Sequence, residues 1–214
     1  MTMPASGNDR ASAVAVALLA ALGARDHYMA GHSAAVAIYA RDIANGLGLS
    51  EADQQLAHVS GLVHDIGMIG IPSAILGKPG PLTPEERGRI QEHPVIGERI
   101  LASVEDCAEV ARIVRHHHEW TDGAGYPDGI VADEIPLVSR IVSVAEEYNS
   151  MTSDRPYRDA VPSRVARMRL AQGTEGQFDA AVVAAFEAIL AGAAEDYRTA
   201  DRGDFSLAGV LGPR

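Results

Sequence analysis

Two clusters of imidazole and carboxylate stand out in this chain. His64-Asp65 follows the apolar stretch 59–63, and an adjacent imidazole and carboxylate at a helix end can share one cation or bridge two. His116-His117-His118-Glu119 is the denser cluster. Successive helical residues point about 100° apart, so three in a row cannot share a metal unless the helix ends there. The Asp-Gly, Gly and Tyr-Pro turn signals that follow supply that ending. Three imidazoles buried at such an end carry a desolvation cost that coordination would relieve. His32 and His93 sit singly in helical patterns, and Glu146 interrupts an apolar face made by Ile141, Val142, Val144 and Ala145. Taken one at a time, these have plain structural explanations. A lone helical histidine such as His27 or His58 is more often a surface or hydrogen-bonded core residue, Glu146-Glu147 is a solvated pair, and Arg155 and Arg158 are surface charges.

The elements that must position these groups are helical. Alanine is about a sixth of the 214 residues, strand-type alternation is almost absent, and apolar residues recur at three and four spacing, so the fold is expected to be all-α. Helices are predicted near 9–24, 31–46, 50–63, 83–92, 94–102, 106–117, 136–151, 162–172 and 177–191. Two starts are marked by chemistry: Ser50 with Asp53 three residues on, and Thr83-Pro84-Glu85-Glu86 with a cap, a first-turn proline and acids at the positive end of the helix dipole. Two long connections, 66–82 and 119–135, each begin at a histidine cluster, and loops of that length in a small domain are usually functional. One domain over 9–195 is expected, with loose tails at 1–8 and 196–214.

Composition excludes several classes. Lys plus Arg 18 against Asp plus Glu 29 gives −11, with Lys78 the single lysine, so the chain lacks the basic face that binds polymeric nucleic acid. A small anion remains a suitable ligand. Cys107 is alone, which leaves no disulfide framework or cysteine-based zinc site and is consistent with a cytoplasmic protein. Residues 11–24 carry no charge, but the run is too short to span a bilayer and takes much of its apolarity from alanine; it is expected to be a buried helix, a secretory signal being the alternative. No membrane association is expected.

Ordered motifs give a more specific expectation. His64-Asp65-Ile66-Gly67 with Ile71-Pro72 and Ile75-Leu76-Gly77-Lys78-Pro79-Gly80, then His93-Pro94 with Gly97, His117-His118-Glu119, Asp122-Gly123-Ala124-Gly125-Tyr126-Pro127 and Ser153-Asp154-Arg155-Pro156-Tyr157-Arg158 together resemble the HD-GYP family of the HD phosphohydrolase superfamily. The resemblance runs from about 26 to 186. It implies a compact HD-domain helical bundle with two long active-site loops, and a phosphodiesterase that opens cyclic di-GMP to linear pGpG or GMP. It further implies two divalent transition metals, iron or manganese: one held by His32, His64, Asp65 and Glu146, the other by Asp65, His93, His117 and His118. Asp65 would serve both, and with His64 form the catalytic pair. A hydroxide between the metals would attack phosphorus in line. Arg155 and Arg158 would face the phosphates, and Tyr126 a guanine or the pocket wall. Three-metal members carry a glutamate where Tyr28 stands, so two metals are expected here. Regulation would come from a protein partner, self-association, or metal and oxygen state.

Three positions depart from the family pattern. Met68 replaces the lysine of the HD-x-G-K motif and offers neither charge nor donor, so turnover is expected to be weak. Glu146 and Asn149 replace two aspartates, one lengthening a ligand and the other removing a charge. Met68 and Asn149 motivate a second reading, a degenerate domain that binds a nucleotide or a partner without turnover. A di-iron oxygenase on the same scaffold is a third, against which the Gly-Tyr-Pro loop and 153–158 speak.

Overall fold

The computed structural model describes residues 7–25, 27–154, 159–201, 203–205 and 209, so Arg155 and Arg158 lie outside the described residues. Among those described, no strand occurs. The chain runs through α1 (Gly7–Arg25), α2 (His27–Gly46), α3 (Glu51–Val63), α4 (Ser73–Leu76), α5 (Pro84–Ile90), α6 (His93–Ala102), α7 (Ala108–His116), α8 (Leu137–Thr152), α9 (Ser163–Gly173), α10 (Ala180–Gly192) and α11 (Glu195–Arg198). All nine expected helices form, and both marked starts are real. Ser50 Oγ accepts the Asp53 N–H, and Thr83 with Glu86 makes a reciprocal capping box. The long 66–82 connection is not structureless: it holds a 3₁₀ turn, Ile66–Gly70, and the short α4.

Alanine explains why α2 is the central element. From Ser33 to Ala40 every residue is buried, and small side chains let other helices approach from several sides. One apolar cluster joins α2 to α8, α9 and α10 through Tyr39, Ile43, Ile141, Tyr148, Leu170 and Phe186. A second joins α1 to α3, α6 and α7 through Leu19, Leu22, Leu62, Leu101 and Val110. Residues 11–24 are thus within a helix that packs on the domain, and no helix of the described residues is long and apolar enough to cross a membrane.

Two glycines set the spacing that matters for the site. A Cβ on Gly61 of α3 would lie 2.7 Å from the Cα of Ala37, so α2 and α3 meet backbone to backbone. A Cβ on Gly67 would lie 1.9 Å from the His93 carbonyl oxygen and 2.6 Å from Gly97 N, so the 3₁₀ turn rests directly on α6. Any larger residue would force these elements apart.

The segment after about 196, expected to be a loose tail, packs in part on the core. Tyr197 and Phe205 are buried around Tyr39, with ring centroids 5.3 and 5.1 Å from it. The Tyr39 hydroxyl donates to the Tyr197 carbonyl at 2.6 Å, and the Tyr197 hydroxyl donates to Asp42 at 2.8 Å. Three aromatic rings outweigh the polar composition of this stretch, since each buries a large apolar area.

Candidate metal centre

Five helices deliver the seven candidate ligands. His32 lies on α2, His64 and Asp65 follow α3, His93 opens α6, His117 and His118 follow α7, and Glu146 lies on α8. The ligand atoms of His93, His117 and His118 fall within 4.8 Å of one another, as do those of His32, His64 and Glu146. Asp65 stands between the groups, with Oδ1 3.3 Å from His93 Nε2 and Oδ2 3.5 Å from His64 Nε2. Glu146 also reaches the first group: its oxygens lie 3.9 Å from His117 Nε2 and 3.8 Å from His118 Nε2.

Hydrogen bonds decide which nitrogen faces the cluster. Nδ1–H of His64, His93 and His117 donates to the carbonyls of Gly61 at 2.8 Å, Ile90 at 2.7 Å and Val114 at 2.6 Å, each three residues earlier. A carbonyl only accepts, so the proton must sit on Nδ1 and Nε2 presents a lone pair. His32 Nδ1–H donates instead to Asn149 Oδ1 at 2.7 Å. Asn149 is buried three residues along α8 from Glu146, on the same helical face. Its role as the support of His32 was not inferred from the sequence, although that spacing was the available signal.

Electrostatics favours neutral imidazoles at His93, His117 and His118 beside an ionised Asp65. Burial lowers the pKa of His93 and His117, and brings His118 down to about 3, with neighbouring imidazoles adding to the effect. Burial would raise Asp65, but His64, His93, His32 and His118 outweigh it and hold the carboxyl below its usual range. His93, His117, His118 and Asp65 are therefore shifted toward the protonation states that metal ligation needs. His64 Nε2 and Asp65 Oδ1 are buried without a hydrogen-bond partner. Buried polar atoms left in this way are costly unless something takes their lone pairs. Two nitrogen-rich groups on either side of a carboxylate have the donor set of divalent transition ions, and the residues fit such a pair.

The Gly-Tyr-Pro loop closes over one side. The Tyr126 ring stacks on His118 with centroids 4.8 Å apart and planes 27° apart, and Tyr126 N–H donates to the His118 carbonyl at 3.1 Å. Burial, helped by the charges of Glu146 and Asp65, pushes the Tyr126 hydroxyl well above its usual pKa. Glu119, next to the triple histidine in sequence, is not among the candidate ligand groups. It is 3% exposed and its carboxylate accepts the N–H groups of Asp128 at 2.6 Å and Gly129 at 3.0 Å, so it latches the loop. Arg115 braces the same loop, bidentate to Asp128 at 2.6 and 2.7 Å and bound to Glu98. His116 Nε2 lies 3.6 Å from Asp128, and His116 belongs to neither ligand group. His58 and Cys107 also lie outside both groups. Lys78, the single lysine, is paired with Glu86 at 2.6 Å.

On its His32 side the centre borders a cavity of about 440 Å³ lined by His32, Asn149, the end of α8, Thr199, Ala200, Asp201 and Phe205. Among known proteins, a 3′3′-cGAMP-specific phosphodiesterase of Vibrio cholerae is 42% identical over 139 residues, covering 65% of this chain and 30% of its own. A cyclic di-GMP phosphodiesterase of Pseudomonas aeruginosa is 39% identical over 172 residues, covering 78% and 41%. The crystal structure of a cyclic GMP-AMP-specific phosphodiesterase of V. cholerae superposes with a TM-score of 0.56 at 33% identity, covering 86% of this chain and 42% of that one. The chain thus spans less than half the length of each of these three relatives. The pattern of the HD domain matches residues 18–182, a span that takes in all seven candidate ligands, and the chain belongs to the HD domain family.

Proposed function

We propose that this chain is the hydrolytic domain of a metal-dependent phosphodiesterase acting on a cyclic dinucleotide such as cyclic di-GMP. The observation that carries the reading is the pair of ligand groups sharing Asp65, with buried lone pairs on His64 and Asp65 that no protein group satisfies. The names of the relatives support the substrate class. His32, His64, Asp65 and Glu146 would hold one cation and Asp65, His93, His117 and His118 the other, iron or manganese. When bound, two such cations would supply Lewis acidity, acidifying water and neutralising phosphate charge. The protein's own contribution is orientation. Carbonyls and Asn149 lock the imidazoles, Tyr126 backs His118, and Arg155 and Arg158, outside the described residues, would take the phosphate oxygens. Hydrolysis adds water across one P–O bond, leaving a terminal phosphate and a ribose hydroxyl.

One observation favours the second reading, a domain that binds without rapid turnover. Met68 stands just after the ligand Asp65 on the 3₁₀ turn, and Lys78, the single lysine, is held by Glu86. Anaerobic protein loaded with manganese or iron and given cyclic di-GMP decides between them. Linear product is expected, lost on chelation; tight binding with no product would establish the binding domain instead.

A further inference from the structure

The cavity beside His32 has a feature outside the family-matched span. Its far wall is built by Thr199, Asp201 and Phe205, beyond residue 182 where the match ends. We propose that this cavity seats a guanine base of the substrate and that Asp201 selects guanine over adenine; the inference rests on the phosphodiesterase reading above.

Three observations support the assignment. The cavity borders His32, a candidate ligand, so a phosphodiester held at the centre has room for an attached nucleoside on this side. Phe205, buried in the aromatic cluster around Tyr39, contributes an apolar wall anchored to the core. Asp201 is oriented before any ligand arrives: its N–H donates to the Asp196 carbonyl at 2.8 Å, and the Thr199 hydroxyl donates to its Oδ2 at 2.6 Å. Asp154, which also lines the cavity, accepts the Ala160 N–H through Oδ1 at 2.8 Å.

The chemistry of the two purines then separates them. Guanine offers N1–H and the N2 amino group side by side, two parallel donors that a carboxylate accepts bidentately. Adenine offers one amino donor beside the N1 lone pair, which would face carboxylate oxygen and be repelled. A site built to hydrogen-bond a donor edge rejects the analogue that lacks one of its donors, because a polar group is left unpaired.

The test is equilibrium binding of non-hydrolysable phosphorothioate analogues of cyclic di-GMP, 3′3′-cGAMP and cyclic di-AMP to the full, metal-loaded chain. Wild type should bind the diguanylate ring tighter than the diadenylate ring by about tenfold to a hundredfold, the scale of one bidentate base contact. Asp201→Asn, which replaces one acceptor with a donor, should collapse that ratio toward unity while metal content and melting temperature stay at wild-type values. Thr199→Val should lower it part of the way. A wild-type ratio retained in Asp201→Asn overturns the inference while leaving the phosphodiesterase reading intact. No binding of any ring by the wild type overturns both.

Discussion

The two halves of the candidate centre are built differently. His93, His117 and His118 come from consecutive helices, α6 and α7, and two of the three are locked by main-chain carbonyls three residues earlier, those of Ile90 and Val114. His32, His64 and Glu146 come from three helices spread over more than a hundred residues, and His32 depends on a side chain, Asn149, for its orientation. The first half is covered by the Tyr126 loop; the second borders a 440 Å³ cavity. Both ligand-side departures from the family pattern, Glu146 and Asn149, fall in the second half or its support. The first half therefore leans mainly on local backbone, and the second, where His64 alone has a carbonyl partner, carries the adjustable parts.

Asp65 joins the halves, and removing it should have the largest effect. Asp65→Ala is expected to reduce metal from about two ions per chain to less than one and to bring hydrolysis to background, since a shared ligand serves both ions. Metal content of anaerobically purified variant checks this, and an unchanged content would break the assignment of both halves. Met68→Lys addresses the turn between them: if a cationic donor there stabilises transition-state charge, its restoration should raise the hydrolysis rate by about tenfold to a thousandfold with metal content unaltered. No gain in a fully loaded variant would mean that the site has turned to another substrate or to binding alone.

Asn149→Asp sharpens the contrast directly. A carboxylate on Nδ1–H makes His32 a more basic ligand, so metal affinity of one site only should rise by about tenfold, the lower end for second-layer partners. Competition with a chelator resolves the two dissociation constants, and a parallel shift in both would mean the halves are not independent. The smallest effect concerns protons. His93, His117 and His118 have pKa values depressed below the ordinary 6.5, His118 to about 3. A depressed imidazole binds fewer protons folded than unfolded below pH 6.5, so metal-free protein should lose stability progressively as pH falls from about 6.5 toward 3. Melting temperature against pH reads this, and His118→Gln should flatten the slope.

Helices and caps were legible because local rules govern them: periodicity found α2 and α8, and Ser50 and Thr83 announced the starts they cap. The ligand set was legible only through ordered motifs, since His32 or Glu146 alone is indistinguishable from a core histidine or a solvated acid. Glu119 sits beside three histidines in sequence, yet its partners are main-chain N–H groups nine and ten residues on, which no residue type announces. The packing of Tyr197 and Phe205 was hidden for a related reason. Their partner Tyr39 is some 158 residues distant from Tyr197, and the short polar stretch around them carries no period to reveal a buried face.

The contact of Gly67 with α6 has a mechanical consequence. Asp65 and His93 are spaced by main chain resting on main chain, with no side chain between, so their separation acts as a fixed gauge for the bound ions. Loosening the apolar clusters, by shortening Phe186 or Leu101, should cost about 2 to 5 kcal/mol of folding free energy. Metal preference should hardly change until the fold itself gives way. Durability of the scaffold and calibration of the site are thereby held in separate parts of the molecule, and selection or design can alter one without resetting the other.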